Sequence, residues 1–133
     1  MNQRAAAIII KEGKILLIHR IKNGKQYFVF PGGGVEKGER TEETVMREVK
    51  EELNLDVLNI EKLLFQIKNQ GRKELYFLIK DFSGIVEFGG EEKEIMNENN
   101  QYYPVWISFE EMKKLKNLYP EEAKEKAIKL LGI

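Results

Sequence analysis

Residues 33–55, GGVEKGERTEETVMREVKEELNL, set a glycine turn directly ahead of a helix, and no other stretch restricts the fold as strongly. Successive helical residues turn by about 100°, so with Glu48 at zero, Glu51 falls near −60° and Glu52 near +40°. Val45, Val49 and Leu53 fall between roughly +60° and +140°. The helix therefore carries an apolar stripe that must be buried and an acidic stripe beside it. Glu48 and Glu52, four residues apart, repel by a few tenths of a kcal/mol on an empty helix. A hard divalent cation would reverse that sign, because magnesium takes carboxylate oxygens and completes its shell with water or phosphate.

The spacing is glycine, five residues, glutamate, seven residues, Arg-Glu, an aliphatic, one residue, Glu-Glu, one residue, then a glycine position and an aliphatic. It resembles the Nudix box, met here by Gly33, Glu39, Arg47, Glu48, Val49, Glu51, Glu52 and Leu55. Asn54 stands where that family usually has glycine. It would be the residue that ends the helix in a left-handed conformation, and asparagine is the next best residue there, so the turn should survive.

The resemblance implies an α/β fold, an α/β/α sandwich with a mixed sheet between helices. It also implies hydrolysis of a diphosphate linkage in a nucleoside diphosphate joined to another group, by water attack at phosphorus. Magnesium, or manganese in its place, is the implied cofactor. Glu48 and Glu52 would be the principal ligands, Glu51 would complete the set directly or through water, and the Gly32 carbonyl would join them. Gly33 and Gly34 would let the backbone approach substrate, since glycine presents no Cβ. Glu39 could accept backbone donors from the loop or orient waters around the metal. Arg47, one turn before Glu51, would orient that carboxylate. The general base differs among such proteins; a box glutamate or Glu92 would serve, with Glu91 and Glu94 as neighbours able to replace it.

The rest of the chain sets bounds. Its 133 residues suit one domain spanning 1–133. Twenty-two basic and 22 acidic residues cancel, so no global field gathers nucleic acid or an anionic membrane, and a small nucleotide is the expected partner. The absence of cysteine excludes disulfides, thiolate metal sites and a cysteine nucleophile. The apolar run at residues 5–10 is too short for a signal-peptide core, and a cytoplasmic protein is expected. A homodimer is allowed but not readable.

Strands are expected at residues 5–10 and 14–20 around a Glu12-Gly13 turn, then at 27–30 ahead of the glycine loop. The box helix should run from Thr41, as N-cap, to Leu53. Segments 57–67, 75–79, 85–88 and 105–107 read as further strands. Ser108 with Glu111 forms a capping box for a helix with Met112, Leu115 and Leu118 as its stripe, and Pro120 opens a last helix. Arg4 and Arg20, at strand ends bordering the loop, are candidates for substrate phosphates. His19 reads as structural, Arg72 and Lys73 as solvated turn charges, and 97–101 as a polar loop in which Asn100 or Gln101 could read a base edge. A noncatalytic nucleotide-sensing module, or a purely structural role for the glutamates, are the rival readings.

Overall fold

The computed structural model describes residues 2–87 and 96–133. Its organising element is β1 (Gln3–Lys11), in which residues 5–9 are wholly buried. Its parallel neighbour is β7 (Arg72–Ile79), in register from Gln3↔Lys73 to Ile9↔Ile79. A parallel pair covered on both faces needs a continuous apolar run, and AAAIII supplies it.

Alternation survives in where each side chain goes. Ala6 and Ile8 enter one core cluster, and Ala5, Ala7 and Ile9 the other. β2 (Lys14–Lys22) divides likewise, Ile15 and Leu17 against Leu16 and Ile18. The first cluster is closed by α2 (Phe109–Lys114) and α3 (Glu121–Leu131) through Met112, Ala123 and Ala127. The second is closed by α1 (Thr41–Leu53) through Val45, Val49 and Leu53. The result is the expected mixed sheet between helices, each large buried aliphatic contributing about 1.5–3 kcal/mol.

β1 and β2 pair only at their tip, Ile10↔Ile15 and Lys11↔Lys14. Glu12 and Gly13 both have positive φ, the turn geometry whose twist matches the strands it joins. Further along, β1 gives its edge to β4 (Gly32–Gly34) at residues 4–6, while β2 pairs with β3 (Lys25–Val29). The strands thus part, and a cleft opens there. β10 (Leu118–Tyr119) extends the sheet beyond β3, and β6 (Lys62–Asn69) beyond β7.

Four sequence expectations need correction. The segment 57–67 is two strands, β5 (Asp56–Asn59) and β6, in separate sheets. The strand expected at 85–88 lies earlier, as β8 (Asp81–Ser83), because Phe82 pairs with Val57 and stacks on Trp106; residues 85–87 form no strand and Phe88 lies outside the described residues. β9 is much longer than 105–107, running Asn100–Ser108 along the whole of β2. Its polar start and Pro104 hid it, and proline is tolerated because β9 is an edge strand. Finally, Leu118 is not helical but pairs with Phe28 in β10.

A further correction falls at the start of α1, where the expected N-cap, Thr41, is the first helical residue and Arg40 is the N-cap. At the other end Asn54 adopts φ 61°, ψ 29°, and its Nδ2 donates to Glu87 Oε1 at 2.9 Å. Among the described residues no helix is long and apolar enough to cross a membrane. Replacing Asn54 with alanine should lower unfolding free energy by about 1–2 kcal/mol, since a Cβ resists that conformation. Urea denaturation checks this, with Asn54→Gly expected to stay within about 0.5 kcal/mol of the parent.

Candidate active site

The buried stripe of α1, Thr44, Val45, Val49 and Leu53, fixes the rotation of the helix and turns Glu48 and Glu52 toward β4. The Gly32 N–H donates to Glu52 Oε1 at 2.8 Å. A Cβ built on Gly33 would collide with the Glu48 carboxylate. Two carboxylates one helical turn apart thus rest on bare glycine backbone. Gly32 is equally confined from the far side, since a Cβ there would collide with the Ala5 carbonyl and lie 2.7 Å from Ala6 Cα.

Arg47 ties this arrangement together. Its Nε and Nη2 donate to Glu39 at 2.7 and 3.0 Å, and Nη2 also donates to the Gly34 carbonyl at 3.2 Å. Its Nη1 reaches Glu51 at 3.3 Å and lies 3.7 Å from Glu48 Oε2. The expected Arg47–Glu51 contact is present, but the tighter clamp is to Glu39. Glu39 also accepts from the Thr44 hydroxyl at 2.7 Å and the Glu36 N–H at 3.1 Å, so it does take a backbone donor from the loop. The Arg47 hydrogen bonds first, then that of Thr44, hold the Glu39 carboxyl down to about 2. Glu39 in turn raises Arg47 above its ordinary value.

Glu51 is the outermost of the three helical acids, its side chain 53% exposed against 13% for Glu48. Among the described residues no three His, Cys, Asp or Glu side chains converge into a ready-made metal cage. The donor set is nonetheless all hard oxygen, and the glycine cradle admits the Glu48 carboxylate where any side chain would expel it. That suits a cation that keeps part of its shell for water and phosphate, as magnesium does. Glu92, with Glu91 and Glu94, lies outside the described residues.

Adjoining the glycine strand through Phe30 and Arg4, a cleft of about 580 Å³ occupies the gap between the parted strands. Arg4 and Arg20 both line it. Arg4 Nη2 donates to the Phe30 carbonyl at 3.0 Å. Arg20 is held by Asn100 Oδ1 at 3.1 Å and the Tyr102 hydroxyl at 2.8 Å, so Asn100 positions an arginine. The cleft also takes in Tyr76, read from the sequence as an aromatic of the core, Arg72, read as a solvated turn charge, and Glu74 and Tyr119, which the sequence reading did not single out. Glu74, 2% exposed, accepts from Tyr76 Oη at 2.8 Å and Asn69 Nδ2 at 3.2 Å, with Arg72 at 3.5 Å. Burial, and then Glu74, push the Tyr76 phenol above its usual range. A glutamate inside the otherwise apolar run ELYFLI was the available signal. His19 stacks on Phe28 at 4.5 Å and meets Gln26 Oε1 at 3.2 Å, contacts of a structural residue.

Residues 1–128 match the family model described as NUDIX domain. Over 94 residues the chain is 38% identical to an ADP-ribose pyrophosphatase of Methanocaldococcus jannaschii, covering 65% of this chain and 55% of that protein. It thus spans about half the length of that curated relative, and only 21% of a Caenorhabditis elegans relative called putative nudix hydrolase 1, 41% identical over 78 residues. The solution structure of the E. coli ORF135 protein superposes with TM-score 0.74 at 26% identity, covering 98% of this chain and 91% of that one.

Gly33→Ala should weaken divalent-cation binding about 10- to 100-fold in titration calorimetry by displacing Glu48. Because folding lowers the Glu39 pKa, its contribution to stability is complete above an unfolded value of 4.5 and is lost as pH falls toward about 2. Between those limits Glu39→Gln should flatten the decline of unfolding free energy with falling pH, measured by denaturant titration at each pH.

Proposed function

The chain belongs to the NUDIX family, and from that membership we propose that it is a metal-dependent hydrolase of diphosphate linkages in small nucleotides. The observation that carries the reading is the docking of Glu48 and Glu52 on the glycine strand, beside a cleft of nucleotide size. Glu48 and Glu52, with Glu51 and the Gly32 carbonyl, are the groups that would hold magnesium or manganese. When bound, such an ion supplies charge neutralisation at phosphate oxygens and a more acidic water.

The chain's own residues do the rest. Arg47 keeps the acidic face ordered while Glu39 balances its charge, so the carboxylates stay aimed without a partner molecule. Gly33 and Gly34 leave room for a diphosphate to approach the backbone. Arg4 and Arg20, on the adjoining cleft, offset the negative charge of the incoming nucleotide. Glu92, which matches a loop glutamate of similar sequences, would assist by holding metal or activating water, with Glu91, Glu94 or a box glutamate as its alternatives.

Nucleotide substrates are supported by what the Methanocaldococcus relative is called and by the size of the cleft. ADP-ribose, nucleotide sugars, nucleoside triphosphates and dinucleotides are the compounds to try, and a cytoplasmic setting belongs to the same reading. The purified protein should release phosphate-bearing products from at least one of them with magnesium, identified by mass so that the broken bond is known. Glu52→Gln should lower turnover at least about 100-fold, near 2.7 kcal/mol, while its circular dichroism stays that of the parent. Saturable nucleotide binding by the parent without turnover of any compound would instead favour a sensing module.

A further inference from the structure

The acidic box and the cleft leave a further cavity among the described residues without a role. It measures about 710 Å³ and lies between the end of α2 and the first turn of α3. Four lysines line it, Lys113, Lys114, Lys116 and Lys124, against one acid, Glu121. The whole chain carries no net charge, so this excess of positive charge is local. Leu115 and Leu118 complete the wall. The cavity is separate from the substrate cleft: β10 stands between them, with Leu118 on one side and Tyr119 on the other, and only Glu121 borders both.

Helix packing explains only part of this charge. Lys113 and Lys114 belong to the last turn of α2, where cations offset the partial negative charge of the last carbonyls. Lys124 already serves that end, since its Nζ donates to the carbonyl of Leu115, the C-cap. Lys113 lies 3.4 Å from Glu110 Oε1, an exposed pair of the kind worth little in water. Among the described residues Lys114 and Lys116 form no ion pair. Lys116 also lies past the C-cap, beyond the turn where such a charge aids the helix. Ammonium groups gathered on one concave surface repel one another unless an anion stands among them, and low-dielectric walls concentrate their field inside.

We propose that this pocket is an anion site for an oligophosphate, a chain of phosphoryl groups bearing several charges. Lysine suits that ligand, being a point charge on a flexible stem whose three donors meet phosphate oxygens without a fixed plane. Several cations spread around about 710 Å³ match an extended ligand with several charged centres, whereas a lone phosphate would leave most of that space empty. Nucleic acid fits less well, because the chain lacks a general positive field and the described lining of the pocket holds no aromatic ring for a base. Binding here is independent of the hydrolase activity and lies beyond it.

Titration calorimetry with inorganic tripolyphosphate tests the site, on protein dialysed free of divalent cations so that the bare acids of α1 repel the probe. The parent should bind it, and amide NMR spectra should shift at residues 113–118 and 124 while Gly32, Gly33 and Gly34 stay in place. Lys114→Met with Lys116→Met should weaken binding at least about tenfold, and Lys114→Arg with Lys116→Arg should keep it within about threefold. Both side chains are exposed, so these substitutions are mild for the fold. Lys62→Met with Lys68→Met, the same charge change on β6, should alter affinity by less than about twofold. Absence of binding by the parent, full affinity in the Lys114 and Lys116 methionine variant, an equal loss in the Lys62 and Lys68 control, shifts centred on the glycine strand, or tighter binding of a trinucleotide than of tripolyphosphate would each overturn it.

Discussion

Close approach at two adjacent glycines is the constraint on which the rest of the site depends. Position 32 is pressed between the β1 backbone on one side and the Glu52 carboxylate on the other, and position 33 is filled by the carboxylate of Glu48. No residue with a Cβ satisfies both neighbours. The contact joins α1, β4 and β1 into one unit, so that packing of the core and aim of the acids are a single event. Val45, Val49 and Leu53 set how the helix lies on the sheet, and that rotation delivers the glutamates one turn away.

Concentrating negative charge on one helix face has a cost, and this chain offsets it internally. Arg47 stands among Glu39, Glu48 and Glu51 and adds a hydrogen bond to the Gly34 carbonyl. Its short bond is to Glu39, which is not on α1. The same economy recurs in the cleft, where Glu74 is buried but supplied with three donors and Arg20 is stacked and hydrogen-bonded in place. Fixed charges of this kind need no reorganisation when a charged ligand arrives.

The two halves of the site differ in how legible they were. The box was readable because its members lie within one stretch of 23 residues, from Gly33 to Leu55, and helical periodicity alone puts Glu48 and Glu52 on one side. The cleft draws on β1, β2, the β6–β7 hairpin and the start of α3, which only strand pairing unites. Arg4 and Arg20 were candidates because both border the loop, and both line the cleft. Tyr119 and Arg72 were not, as one sat inside an expected helix-to-helix connection and the other in a turn where basic residues are commonplace.

From local spacing came the α1 helix, the glycine turn and the capping box at Ser108, each dependent on neighbours along the chain or on simple periodicity, while the left-handed ending at Asn54 and the helix–sheet–helix class came with the family resemblance of the same residues. Only the folded molecule decided that Glu39 rather than Glu51 takes the short bonds of Arg47, that β9 runs the full length of β2, and that β1 and β2 part to open a cleft. Those outcomes rest on register between distant strands and on which atoms compete for one guanidinium. Neither is encoded in any short segment, because each is settled by packing against residues far away in sequence.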